Sequence, residues 1–92
     1  MTGYRSREDY LAEFHKAFGH PVDQMMTVDG MELRRSLIVE EFTELMSEMS
    51  QVSIALARGR KPALEVRENL LKELCDLQYV ISGMAVAFGL PL

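Results

Sequence analysis

Four carboxylates, arranged as two pairs with a spacing of three residues, are the groups in this sequence best suited to chemistry. Glu41 and Glu44 form the first pair, and Glu73 and Asp76 form the second. Residues three apart share one face of an α-helix, and both pairs share that face with apolar residues that would normally point into a core. Buried carboxylates repel one another and take up protons unless a cation compensates them. The pairs therefore predict a cation site, and ligands that are oxygen only suit Mg²⁺ or Mn²⁺ rather than Zn²⁺.

The alternative is that these acids form a solvated strip, paired with Arg34, Lys72 and neighbouring basic residues, since most Glu side chains on helices are exposed. The spacing of the two pairs bears on this choice. Their mean positions are 42.5 and 74.5, so the midpoint is 58.5, at a predicted turn. Two antiparallel helices about 8–10 Å apart would bring both pairs to one level, where the four carboxylates converge.

A first helix is predicted from about Arg7 to Phe18, where aromatic and aliphatic residues recur at helical spacing. Ser6 followed by Asp9 resembles a capping box, although Asp replaces the usual Glu or Gln. Gly19 suits the position just past the end of this helix, and a loop is expected to carry the chain to Asp29.

Two long helices are predicted to follow. Apolar residues recur with a period of 3.6 from Met31 to Leu56, until Gly59 provides an ending signal. Pro62 suits the first turn of the third helix, whose pattern continues to Gly89. The short connection makes the two long helices antiparallel. The sequence thus predicts an all-α fold, an antiparallel helical hairpin plus an N-terminal helix, in a single domain over residues 1–92.

Composition restricts the partners of this chain. The net charge is −4 and there is no run of Lys or Arg, so a nucleic-acid polymer is not an expected ligand. No apolar stretch is long enough to span a bilayer, and Cys75 is the only cysteine, which fits a reducing, cytoplasmic setting. The seven Met and the many Leu and Val exceed what one small core could hide, so we expect a homo-oligomeric helical bundle, either a dimer or a tetramer.

The acidic pairs belong to a longer motif: EEFTE at 40–44, a spacer of 28 residues, and ELCD at 73–76. This motif resembles the E-E-x-x-E…E-x-x-D signature of the all-α nucleotide pyrophosphatase superfamily, which includes MazG-like enzymes, dimeric dUTPases and phosphoribosyl-ATP pyrophosphohydrolases. Two flanking segments, EFHKAFGHP at 13–21 and KELCDLQYVISGMAVAFGL at 72–90, are similar to the phosphoribosyl-ATP pyrophosphohydrolase-like branch. The resemblance covers most of the chain.

The resemblance implies an enzyme that hydrolyses a nucleoside triphosphate between its α- and β-phosphates, releasing a monophosphate and pyrophosphate, as in the cleaning of nucleotide pools. It implies that Glu41, Glu44, Glu73 and Asp76 hold Mg²⁺ (or Mn²⁺). Such a reaction needs phosphate charge to be neutralised and a nucleophile to be positioned, which metal carboxylates can provide.

Four further residues are candidates at this site. The resemblance implies that Glu40 orients or deprotonates the attacking water; otherwise it is a solvent-facing neighbour. Lys72 and Tyr79 lie seven apart on the flank of the acidic face and are candidates to contact phosphate oxygens; otherwise they are a surface Lys and a rim Tyr. His15 is a candidate nucleotide contact, but it has no metal-ligand spacing with another His.

Two alternatives stay open. Relatives in this branch usually continue past the last helix into a segment with an Asn and a Lys that help to bind substrate, whereas this chain stops at Leu92. A non-catalytic or partner-completed helical oligomerisation module would retain the fold without that segment. A phosphoribosyl-ATP hydrolase of histidine synthesis has the same reaction type, but nothing in the residues identifies that substrate.

Overall fold

The protein is described by a computed structural model over residues 6–92, which contains three α-helices. We name them α1 (Arg7–Ala17), α2 (Val28–Ala57) and α3 (Leu64–Phe88). No strand occurs within 6–92, so the predicted all-α class is confirmed. None of these helices combines the length and the apolarity needed to cross a membrane. The first five residues of the predicted domain lie outside the described part.

Helix α1 begins as its sequence predicts. The Ser6 hydroxyl accepts a hydrogen bond from the Asp9 backbone N–H at 3.1 Å, and the Asp9 carboxylate accepts one from the Ser6 N–H at 3.0 Å. Asp therefore completes a capping box in place of Glu or Gln. Gly19 follows the end of the helix with a φ of 73°, a left-handed conformation that Gly adopts without strain.

Helices α2 and α3 begin at other residues than predicted. Helix α2 begins at Val28, three residues before Met31, because the Thr27 hydroxyl caps it by accepting a hydrogen bond from the Gly30 N–H at 3.0 Å. Its first turn, which begins with an exposed Val28, does not follow the apolar spacing, so the apolar period starts only after it. Pro62 precedes the first turn of α3 instead of occupying it, since Ala63 is the N-cap.

Helices α2 and α3 form the predicted antiparallel hairpin, and its register is visible along its whole length. A Cβ added to Gly30, near the start of α2, would lie 3.6 Å from the ring of Phe88, the last residue of α3. A Cβ added to Gly83 would lie 3.5 Å from the Arg34 guanidinium. Each step forward along α2 thus matches a step back along α3.

Helix α1 and the loop after it pack on the C-terminal half of α3. The Ser82 hydroxyl donates a hydrogen bond to Glu8 of α1. In the loop, the Asp23 N–H donates to the Val86 carbonyl at 2.9 Å. Gly89 then turns the chain with a φ of 65°, and a Cβ there would lie 2.9 Å from an Asp23 carboxylate oxygen, so only Gly fits. These contacts fix α1 against one end of the hairpin.

The buried apolar core of a single chain is small. Its members within the described residues are Leu11, Leu45, Ala85, Val86 and Ala87. The radius of gyration is 16.6 Å, against about 12 Å for a compact domain of this length. The accessible surface is 6928 Å², against roughly 5,400 Å² for a compact monomer of this mass. Much of the apolar surface of α2 and α3 is therefore left uncovered by the chain itself.

Candidate metal centre

The hairpin brings the four carboxylates of the two acidic pairs together. Glu41, Glu44, Glu73 and Asp76 each offer one oxygen, and these four oxygens lie within 4.8 Å of one another. Two residues come from α2 and two from α3, so neither helix forms the cluster alone. We call these four residues the acidic quartet. Its convergence follows from the antiparallel register, which sets the two pairs at one level.

Three of the four quartet residues are at least partly buried, whereas Glu44 is exposed. Glu73 is only 9% exposed. The Oε2 atoms of Glu41 and Glu73 are buried, and neither has a hydrogen-bond partner in the part of the chain described. Buried polar atoms nearly always have a partner, and an unpartnered charged one is costly. The oxygen-only donors and these two unpartnered atoms fit a hard divalent cation.

Lys72 supplies a positive charge at the edge of the quartet. Its Nζ lies 3.0 Å from Asp76 Oδ2 and 3.5 Å from Glu73 Oε1. The hydrogen bond to Asp76, and then the negative charges of Asp76 and Glu73, raise the pKa of Lys72 above its ordinary value of 10.5. One ammonium group, itself 65% exposed, does not balance four carboxylates, so the quartet keeps an excess of negative charge.

The electrostatics of the quartet are most evident at Glu41. Partial burial raises the pKa of Glu41 above its ordinary value of 4.5, and the neighbouring carboxylates raise it further. In order of size, those neighbours are Glu44, Asp76, Glu73 and Glu40. A cation at the quartet would oppose this repulsion, since a nearby positive charge favours the ionised carboxylate.

The other predicted site residues occupy different surroundings. Glu40 is exposed and lies beside Glu41, whose pKa its charge affects. Tyr79 is exposed on the side of α3 that faces α1, in a groove of about 690 Å³. The structure brings Lys72 to the quartet, with Glu40 next to it, whereas Tyr79 points into the groove.

The structure does not bring His15 to the quartet. His15 is 4% exposed, and its Nδ1 lies 2.7 Å from the Pro21 carbonyl oxygen. The loop containing Pro21 is bonded to Val86, which is ten residues, or about 15 Å, from Asp76 along α3. The hydrogen bond to Pro21 accounts for the burial of His15, and its nucleotide contact stays a prediction.

Two residues were not included in the predicted site although they share its face. Glu48 lies one turn beyond Glu44, and its Oε2 is buried without a partner within residues 6–92. Arg34 lies two turns before Glu41 and faces Gly83 across the hairpin. The register that pairs Glu41 with Asp76 also pairs Arg34 with Gly83, so the same calculation would have identified the second pair.

Three helices with a partly buried carboxylate cluster between two of them define an all-α protein with a candidate site for a divalent cation, the kind of ion that can neutralise phosphate charge. The comparison with protein families agrees with this class. The model of the phosphoribosyl-ATP pyrophosphohydrolase family matches residues 11–92, and the chain belongs to that family. The family is part of the MazG-like all-α pyrophosphatase superfamily and is metal-dependent, so a pyrophosphohydrolase that acts on a nucleotide is indicated. No curated protein matches the chain.

The first prediction concerns metal binding. We expect titration calorimetry with Mg²⁺ or Mn²⁺ to detect binding to the wild type and to lose it in the double variant Glu44→Ala/Asp76→Ala, which removes one ligand from each helix. A matched control is Glu65→Ala/Glu68→Ala, an exposed pair of acids with the same spacing on α3. Equal binding by the two double variants would reject the quartet as the metal site.

The pH dependence of stability gives a second prediction. Because the pKa of Glu41 is raised in the folded chain, its protonation stabilises the metal-free fold at a pH below its ordinary pKa of 4.5. This stabilisation is lost as the pH rises through the higher pKa of the folded state. Cation binding needs deprotonated ligands, so it strengthens over the same interval. Mg²⁺ should therefore raise the melting temperature more at about pH 7.5 than at about pH 4.5, where the raised pKa keeps Glu41 mostly protonated. An equal increase at both pH values would contradict this.

Proposed function

We propose that this protein is a Mg²⁺-dependent pyrophosphohydrolase that cleaves a (d)NTP between its α- and β-phosphates, releasing the nucleoside monophosphate and pyrophosphate. The observation that carries the proposal is the acidic quartet, in which two buried carboxylate oxygens have no hydrogen-bond partner among residues 6–92. Membership of a pyrophosphohydrolase family supports the reaction type. The exposed free thiol of Cys75 is in keeping with a reducing, cytoplasmic setting.

In this proposal, Glu41, Glu44, Glu73 and Asp76 hold the cation. Bound there, Mg²⁺ would neutralise phosphate charge and make a water molecule more acidic. One oxygen from each of the four residues lies within 4.8 Å of the others, which supports their assignment to one set of ligands. Mn²⁺ accepts the same oxygen donors and is the alternative metal.

Glu40 is the proposed general base. It is about 100° round α2 from Glu41, so it is adjacent to the quartet but outside the ligand set. Its side chain is exposed and has no hydrogen bond or ion pair with the described residues, which leaves its carboxylate available to accept a proton from the attacking water. Lys72, at the edge of the quartet, is a proposed phosphate contact, and Tyr79 and His15 remain candidate nucleotide contacts.

Phosphoribosyl-ATP is the second candidate substrate, because the matching family carries its name. The reaction would be the same, since pyrophosphate again leaves from a triphosphate. A screen for pyrophosphate release over the (d)NTPs and phosphoribosyl-ATP, with Mg²⁺ present, tests the proposal and separates the two substrates. Metal binding without release from any of them would favour the non-catalytic or partner-completed module.

Replacing Glu40 separates the chemical step from metal binding. We expect Glu40→Gln to lower turnover of the best substrate by roughly 10²–10⁴-fold, the usual range for a general base, with most of the metal affinity retained. Glu41→Gln should instead weaken metal binding, because it removes a ligand charge. The measurement is kcat at saturating Mg²⁺, with calorimetry on both variants. Near-normal turnover of Glu40→Gln would remove the base role and leave the quartet intact.

We also propose that the protein is a homo-oligomer, a dimer or a tetramer. Val39, Phe42, Met46 and Met49 lie within about 80° of one another on α2, on the side opposite the acids. Each is between 44% and 57% exposed. An exposed apolar stripe of this kind is typical of a surface that binds another protein chain. The large accessible surface of the isolated chain also supports association.

Sedimentation tests this proposal. We expect a mass of at least twice 10.5 kDa for the wild type at micromolar concentration. Phe42→Glu should shift the mass towards that of one chain, because it places a charge in the apolar stripe. Ser47→Glu is the control, since Ser47 is exposed on α2 outside the stripe. A monomeric wild type, or equal effects of the two variants, would contradict the proposed interface.

A further inference from the structure

Arg34 shares the inner face of the hairpin with the acidic quartet. It lies seven residues before Glu41 on α2, which is two helical turns and about 10 Å, and it therefore points to nearly the same side. Gly83 lies seven residues after Asp76 on α3, and the Arg34 Nη1 is 3.5 Å from where a Gly83 Cβ would be. The guanidinium thus occupies the space that a side chain at position 83 would otherwise take.

Arg34 is a half-buried residue that makes no hydrogen bond or ion pair with residues 6–92. The other basic residues nearby differ in this respect: Lys72 is paired with Asp76, and Arg35 lies 3.6 Å from Glu32 with its side chain 72% exposed. Arg34 is thus a cation on a half-buried residue with no ion-pair partner in the described part of the chain, although acids are abundant on the same helix.

The chemistry of the guanidinium indicates what Arg34 can bind. Its planar fork of N–H donors matches the oxygens of a phosphate, and such hydrogen bonds are among the strongest in proteins. Leu37 and Val80, both half-buried, lie between it and the quartet on the inner face, so this part of the face is apolar. A phosphate there would meet Arg34 as its nearest donor of positive charge on the face.

We propose that Arg34, held in the space left by Gly83, binds the β- and γ-phosphates of the substrate, which become the leaving pyrophosphate. This inference rests on the proposed function, in which the quartet holds a cation at the cleaved bond. The triphosphate would then extend along the inner face from the quartet towards Arg34. Both candidate substrates release pyrophosphate, so the role of Arg34 does not depend on which of them is correct.

Binding of inorganic pyrophosphate, measured by calorimetry on the full chain in excess Mg²⁺, tests this role without requiring turnover. We expect Arg34→Gln to weaken pyrophosphate binding by roughly 10- to 100-fold, the loss expected for hydrogen bonds between charged groups. Mg²⁺ affinity should stay unchanged. Arg35→Gln is the matched control, one residue along the same helix, and it should change pyrophosphate affinity by less than about twofold because its exposed ion pair contributes little.

Substitutions at Gly83 test whether the missing side chain at this position makes room for the Arg34 guanidinium. Gly83→Ala should leave pyrophosphate affinity nearly unchanged, because its Cβ would be at an ordinary contact distance of 3.5 Å from Arg34. Gly83→Leu should fill the space, displace the guanidinium and weaken pyrophosphate binding as Arg34→Gln does. Arg34→Lys should restore part of the affinity, since it keeps the charge but not the planar fork. Circular dichroism on each variant checks that the helices are retained.

The outcomes separate this inference from the proposed function. Equal affinity of Arg34→Gln and Arg35→Gln for pyrophosphate would overturn the role of Arg34, as would a loss of Mg²⁺ binding in Arg34→Gln. A wild-type protein that binds Mg²⁺ but no pyrophosphate would overturn the role of Arg34 and leave the proposed metal centre unaffected. Pyrophosphate binding that depends on Arg34, in a protein that hydrolyses no nucleotide tested, would support the phosphate site and reject the proposed enzyme activity.

Discussion

The repulsion among four carboxylates held at one level of an antiparallel hairpin is the interaction on which the rest of this structure depends. Neither α2 nor α3 places more than two members of the acidic quartet, so the repulsion appears only when the hairpin closes. Lys72 compensates part of it from the edge, and the buried Oε2 atoms of Glu41 and Glu73 receive no donor within the described chain. Folding therefore assembles a concentration of negative charge, and any cation that bound there would link its affinity to the stability of the fold.

The same repulsion explains why the core is small and displaced. In most helical hairpins the inner face is filled with apolar side chains that stabilise the pair. Here acids occupy the middle of that face, and the buried apolar residues of α3 are confined to Ala85, Val86 and Ala87 near its end. Helix α1 and the loop after it pack against that same end. On the outer side of α2, the apolar residues Val39, Phe42, Met46 and Met49 are exposed.

Much of this fold could be predicted from sequence because it depends on local patterns. A period of 3.6 identifies all three helices, and Ser6 and Gly19 identify the limits of α1. The predicted start of α2 was wrong because Val28, Asp29 and Gly30 form a first turn that does not follow the apolar period. Only the Thr27 cap indicates that the helix begins there. The position of α1 was not predictable, since it depends on hydrogen bonds between the loop and α3 that have no sequence signature.

The site, like the fold, could be predicted where it depends on residue type and spacing, and not where it depends on contacts between elements. The quartet could be predicted because its members stand out by type and spacing, and because a midpoint near Gly59 sets their level. Arg34 does not stand out by type, since an Arg on a helix is ordinary and acids that could pair with it lie on the same helix. Its significance comes from its lack of a partner and from the missing side chain at Gly83, which are relations between two helices. A single register thus sets a cluster of negative charge and an isolated positive charge about 10 Å apart on one face. A polyphosphate bound through a cation would present the positive charge of the cation to the acidic quartet and the negative charge of its phosphates to Arg34.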